Sequence, residues 1–328
     1  MNTSGTSGYV LCIHIGASSR HAAILDEAGK LLFRNELIET PEARAKLQYQ
    51  DILNDALTAL TALVGQAVEA GMPKEAIIGG GAIVPGPVNP RAGYVSLLPS
   101  LPGLRNAYVA RDLSEGMCEA VGRKVPFFVE NDANGAALVE LRFGADRSAR
   151  NFAVLLLETG LGGALVLDGS LYRGHTFMAG EIGHITVAPQ GPLCPCGSKG
   201  CLETVASGRA LLHAVRNCCS ALARRENLHC REVLDAAREG DKEIVEVLRT
   251  VGRYLGIAIA NLANIFNPAK VVLSGHLARA AHFMMAPVEE EMRNRVFQGM
   301  NCDLEVSGCL EDLEVRAALS AFLSNYCR

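Results

Sequence analysis

The run Gly183-His184-Ile-Thr-Val-Ala-Pro-Gln-Gly-Pro-Leu-Cys194-Pro-Cys196-Gly-Ser-Lys-Gly-Cys201-Leu202-Glu203 gathers one histidine and three cysteines in a single short segment. Three thiolates and one imidazole make a closed tetrahedral set, which suits a structural zinc ion with no open position for water. Pro195, Gly197 and Gly200 stand between the ligands as turn residues, so the loop can fold back and bring the sulfurs together. Thiols this dense are oxidation-prone without a metal. The expected ligands are His184, Cys194, Cys196 and Cys201.

The other cysteines read differently. Cys12, Cys118, Cys218, Cys219, Cys230, Cys302, Cys309 and Cys327 are scattered through apolar or helical stretches, where cysteine serves as a small buried hydrophobe. The polar N-terminus and the short apolar run Tyr9 to Ile15 fit neither a signal peptide nor a membrane span. The expectation is therefore a cytoplasmic protein with free or metal-bound thiols and no membrane partner. A net charge of −4 and the lack of a Lys/Arg-rich run argue against direct nucleic-acid contact. At 328 residues the chain exceeds what one core usually supports, so two α/β lobes are expected.

Outward from the cysteine loop, the pattern alternates strand and helix. Tyr9 to Ile15 reads as a buried strand, with a turn at Gly16 and a hairpin about Asp26-Glu-Ala-Gly29. A helix is expected from about Pro41 to Ala70, a strand from Ala76 toward Val84, and a glycine- and proline-punctuated loop region through Gly103. Then follow a helix near Ala110 to Val121, a strand at Val125 to Val129 and a helix from about Ala133. Strands at Phe152 to Leu157 and Gly163 to Leu167 come next, then helices from Leu202 to Phe266, a strand at Lys270 to Ser274 and a closing helix from Glu314 to Leu323. Glycine turns after strands at Gly16 and at Gly160 to Gly163 occupy comparable places in the two halves, as a duplicated fold would show. The expected division is an N-terminal lobe, 1–124, completed by a C-terminal helix at about 312–328, and a second lobe, 125–311, carrying the zinc loop 181–203.

Glu181-Ile-Gly-His184, the Cys-x-Cys-x4-Cys loop and Leu202-Glu203 together resemble the signature of the ROK family (repressor, open reading frame, kinase). The likeness extends through Glu130-Asn-Asp-Ala-Asn134 and Leu167-Asp-Gly-Ser-Leu-Tyr-Arg-Gly174. It implies an actin-like, hexokinase-like or ribonuclease H-like pair of α/β lobes around a cleft, a hexose or amino-sugar ligand and a homodimer.

Glu130, Asn131 and Asp132 follow an apolar strand and so stand at its C-terminal end, where open α/β sheets place ligands. An Asx-rich helix cap accounts for the same residues. The resemblance implies that Asn131 bonds sugar hydroxyls and that Asp132 is the catalytic base for the hydroxyl being phosphorylated. It also implies sugar contacts for Glu181, His184 and Glu203, an acceptor-rich lining suited to a neutral polyol.

The nucleotide motifs depart from the family. Its first phosphate loop, Asp-x-Gly-Gly-Thr-Lys, aligns with His14-Ile-Gly16-Ala17-Ser18-Ser19, which lacks the acidic residue near Mg²⁺. The second, Gly-Thr-Gly-x-Gly-Gly-Gly, reads Glu158-Thr159-Gly160-Leu161-Gly162-Gly163-Ala164 and brings a carboxylate toward a phosphate cradle. The adenosine-side Gly-Gly turn is Ser274-Gly275-His276-Leu277. Gly16, Ser18, Thr159, Gly160, Gly162 and Gly275 are the positions left to hold a nucleotide. Two readings follow. One is a sugar sensor like the N-acetylglucosamine repressor type, without the DNA-binding segment those repressors carry before the first strand. The other is an ATP- and Mg²⁺-dependent hexose or N-acetylhexosamine kinase with Asp132 as base.

Overall fold

The computed structural model describes residues 8–17, 19–39, 41–98 and 101–326. Ser18, expected at the first phosphate loop, lies outside the described residues. The chain divides into two compact units: 1–142 with 173–178 and 311–328, and 143–172 with 179–310.

The strands are β1 (Tyr9–Ile15), β2 (Ser19–Asp26), β3 (Leu31–Ile38), β4 (Ile77–Val84), β5 (Val88–Asn89), β6 (Tyr94–Leu97), β7 (Arg105–Ala107) and β8 (Phe127–Asn131) in the first unit. The second holds β9 (Phe152–Leu157), β10 (Leu161–Leu167), β11 (Ser170–Tyr172), β12 (Lys270–Ser274) and β13 (Asp303–Val306). The main sheet of the first unit runs β3-β2-β1-β4-β8, and that of the second β11-β10-β9-β12-β13. In both, three strands form an antiparallel meander and the remaining two add in parallel. The same order and the same sense in each unit are the mark of a repeated building block.

The apolar content explains each layer. In the first unit Leu11, Ile13 and Ile15 alternate along β1 toward the helix Tyr49–Glu69, whose Ile52, Ala56, Leu60 and Leu63 are almost fully buried. The C-terminal helix Leu313–Tyr326 packs against β1, β4 and β8. It approaches so closely that a Cβ at Gly81 of β4 would collide with the Ala318 carbonyl and one at Gly79 with the Phe322 ring, while a Cβ at Gly80 would meet the Phe127 ring. In the second unit, the helix Lys242–Phe266 packs on the helix Ala281–Arg295, with Leu255, Ile259 and Met284 in the core.

Three local expectations are corrected. The helix read over Pro41 to Ala70 breaks into Pro41–Arg44 and Tyr49–Glu69, with a reciprocal cap between Gln48 and Asp51 starting the second piece. The punctuated stretch after Val84 contains the small antiparallel sheet β5-β6-β7. Gly162 and Gly163 belong to β10, paired with Leu156 and Leu155, so the turn between β9 and β10 is only Glu158-Thr159-Gly160. Among the described residues no helix is long and apolar enough to cross a membrane.

Candidate functional site

In the first unit, β8 ends at Asn131 and the helix Asp132–Phe143 begins at the next residue. The Asn131 side chain manages that change of direction. Its Oδ1 accepts the Asn134 N–H at 3.1 Å, which caps the helix, and its Nδ2 donates to the Gly86 carbonyl at 3.0 Å. Asp132 Oδ1 accepts the Ala133 N–H at 2.8 Å, so the carboxylate is held at the start of the helix, where the backbone dipole favours a negative charge. Behind both sits Glu130, 1% exposed, which accepts from Asn131 N and Asn134 Nδ2 on one oxygen and from the Arg173 guanidinium on the other.

The cysteine loop lies in the second unit and is built by turns. Cys194 N donates to Ser198 O and Gly197 N to Cys194 O, forming a knuckle around Cys196. Leu202 N bonds back to Ile185 O, which brings Cys201 beside the His184 segment. The ligand atoms of His184, Cys194, Cys196 and Cys201 all lie within 4.8 Å of one another. His184 Nδ1 is 3.6 Å from Cys194 Sγ, and Cys196 Sγ is 3.6 Å from Cys201 Sγ. A tetrahedron with Zn–S near 2.3 Å has edges of about 3.8 Å, so the four residues fit a zinc ion. Burial pushes Cys194 up to about 12 and raises Cys201, while the Ser198 backbone N–H lowers Cys196. A divalent cation would offset the burial cost by holding all three as thiolates.

With Nδ1 turned to the sulfurs, His184 directs Nε2 toward Glu181, whose Oε2 is 3.9 Å away. Burial raises the Glu181 carboxyl, His184 opposes that shift and Glu203 adds to it. Glu203 follows Cys201 in the helix Leu202–Ala206, and its Oε1 lies against Gly160, where a Cβ would come within 2.8 Å. Glu181, His184 and Glu203 are thus gathered around one loop of the second unit.

The positions expected to hold a nucleotide make contacts with the protein's own groups. At the first loop, Gly16 N bonds Ser19 O, and Arg44, buried at 1% exposure, donates Nε–H to the Gly16 carbonyl at 3.0 Å. The His14 ring lies over Gly16, so a Cβ there would meet Cε1 at 2.7 Å, and His14 Nδ1 is enclosed without a hydrogen-bond partner. Burial lowers His14 to about 4, with Glu314 opposing and His21 and Arg44 assisting. At the second loop, Glu158 Oε1 accepts the His276 backbone N–H at 2.9 Å and lies 3.0 Å from His276 Nδ1. The same oxygen would meet a Cβ at Gly275 at 2.8 Å. Thr159 O accepts the Arg209 N–H, which ties the loop to the helix Gly208–Arg216.

Glu158 stands out in the sequence by its charge, whereas nothing in the sequence marks His276 as its partner. Arg44 and Arg173 likewise carry no local mark of their contacts. The only signal for Arg173 was its place in the run ending at Gly174.

The comparisons agree on a family. The ROK family model matches residues 10–317. A glucokinase from Streptomyces coelicolor is 30% identical over 306 residues, covering 89% of each chain. The N-acetylglucosamine repressor of Escherichia coli O6:H1 is 31% identical over 244 residues, covering 73% of this chain and 58% of the repressor. The solved structure of a ROK family glucokinase from Streptomyces griseus in complex with glucose and AMPPNP matches with a TM-score of 0.77 at 28% identity, over 96% of this chain and 99% of that one. This chain belongs to the ROK family and has its two-unit α/β sugar kinase-like fold.

Proposed function

We propose that this protein binds a hexose or N-acetylhexosamine and acts as a sugar sensor or regulator without efficient phosphoryl transfer. Asn131 and Asp132, and likewise Glu181, His184 and Glu203, are the groups expected to bond sugar hydroxyls. A structural zinc ion on His184, Cys194, Cys196 and Cys201 keeps His184 Nε2 turned to the ligand. The observation that carries the reading is the Glu158–His276 contact, because it places a carboxylate on the His276 backbone N–H, a donor that a phosphate or ribose would otherwise use. His14 in place of a Mg²⁺-side carboxylate acts in the same direction.

Removing one electrostatic contact at a charge-developing centre costs about 3 kcal/mol, or roughly a hundredfold in rate, so two such changes are expected to leave transfer from Mg-ATP very slow. The test has two stages. A thermal-shift panel of hexoses and N-acetylhexosamines identifies the ligand by mass action. Coupled ADP release with that sugar then compares the native protein with the double variant His14→Asp, Glu158→Gly. Turnover of several per second by the native protein would overturn the sensor reading.

A second reading, an ATP- and Mg²⁺-dependent hexose or N-acetylhexosamine kinase with Asp132 as base, is favoured by the near full-length similarity to the Streptomyces coelicolor glucokinase. Activity confined to the double variant would mean that Asp132 retains the geometry of a base beside a nucleotide half that has changed.

A further inference from the structure

We propose that Arg173 is a positioning residue for Asn131 and Asp132, acting through the buried carboxylate of Glu130. This rests on the sugar-binding role given to Asn131 and Asp132 above. Arg173 lies outside the sequence run that supplies those residues, and no ligand role is assigned to it.

The chain of contacts is continuous. Arg173 donates to Glu130 Oε2 twice, from Nε at 3.0 Å and from a terminal nitrogen at 2.6 Å. Two N–H groups of the planar guanidinium converge on that one oxygen and pin its position, a geometry that a point charge such as lysine does not reproduce; together with the bonds to Oε1 this sets the orientation of the carboxylate. With Oε2 held, Oε1 faces the other way and accepts from Asn131 N and Asn134 Nδ2, both at 3.0 Å. Asn134 N in turn donates to Asn131 Oδ1 at 3.1 Å. The orientation of the Asn131 amide, and the start of the helix whose first residue is Asp132, therefore follow from where the Glu130 carboxylate points.

Burial makes this grip demanding. Glu130 is 1% exposed, so its carboxylate has no water as a substitute partner, and the Arg173 side chain, 17% exposed, is its counter-charge. The segment 173–178 is also pinned at its far end, where Arg91 lies 5.4 Å from the centre of the Phe177 ring. Phe177 has φ +63°, a strained value for a bulky residue that persists only when neighbours enforce it. Arg173 is thus delivered to Glu130 by a segment held at two points.

Arg173→Lys keeps the charge and removes the fork. In this variant, exchange of the Asn131 and Asn134 amide hydrogens is expected to accelerate about tenfold, sugar affinity to fall about tenfold, and the melting temperature to stay near native. Unchanged exchange, or faster exchange with unchanged affinity, would overturn the proposal. If Arg173→Lys folds poorly, the double variant Glu130→Gln, Arg173→Met removes both buried charges and restores stability. Under the proposal its sugar affinity stays weak, and recovery of affinity together with stability would reduce Arg173 to a structural role. Should the native protein bind none of the sugars, the function proposed above fails, and amide exchange alone then decides the positioning.

Discussion

Glu158 Oε1 bonds the backbone N–H and approaches the ring Nδ1 of His276, so one side chain joins the turn after β9 to the turn after β12. Both turns lie at the C-terminal ends of neighbouring parallel strands, the edge of an α/β sheet where ligands bind. A carboxylate there does two things: it takes the donors and it repels phosphate. Glu158→Gly is expected to tighten AMPPNP binding by at least about tenfold, and Glu158→Gln by less, since the amide keeps an acceptor but loses the charge. Isothermal titration of the three proteins checks this. Equal affinities would separate the contact from nucleotide binding.

The cysteine cluster gives the second prediction. One zinc ion per chain is expected in elemental analysis of freshly purified protein. Cys196→Ser should remove it and lower both stability and sugar affinity, because Glu181 and Glu203 flank the same loop. Freshly purified protein without metal would rule the site out.

What could be read in advance depended on how local the determinant was. Strand β1 was legible to its ends, because Tyr9 to Ile15 is an apolar run, interrupted by His14 alone, and closed by Gly16. The grouping of His184, Cys194, Cys196 and Cys201 was legible because all four residues lie in one short segment with turn residues between them. The break in the helix at 44–49 was not. The apolar periodicity begins at Ile52, and nothing upstream shows that Arg44 is drawn to the Gly16 carbonyl. The strand β5 has two residues, too few for an alternating pattern. The contacts that define the candidate site span 43 positions for Glu130 and Arg173 and 118 for Glu158 and His276, a separation that no local pattern carries.

His14 makes stability depend on acid. Burial holds its folded pKa at about 4, below the value near 6.5 of an unfolded chain. Between those values the unfolded state binds more protons, so stability is full above about pH 6.5 and is lost as pH falls toward 4. Allowing for the part of the ring that meets solvent, the loss is expected to be about 2 kcal/mol. Urea denaturation from pH 7 to pH 4.5 should show a shallower decline for His14→Gln than for the native protein. Parallel declines would mean that the histidine is already solvated.

The last prediction concerns Asp132, whose carboxylate serves both readings of the function but responds differently in each. Asp132→Asn keeps the size and one acceptor oxygen, so the contact from the Ala133 N–H can persist and the helix start should hold. The variant loses the charge and the ability to take a proton. If Asp132 only accepts a hydrogen bond from a sugar hydroxyl, affinity should fall by about tenfold, the value of one charge-assisted bond. Any residual phosphoryl transfer should then fall by a similar factor. If Asp132 is a general base, affinity should change by about the same amount while transfer in the double variant His14→Asp, Glu158→Gly falls by a further hundredfold or more. Sugar titration and ADP release on the same preparations separate the two cases, because the first measures ground-state binding and the second adds the proton-transfer step. An Asp132→Asn protein with native sugar affinity would remove Asp132 from the binding site in either reading.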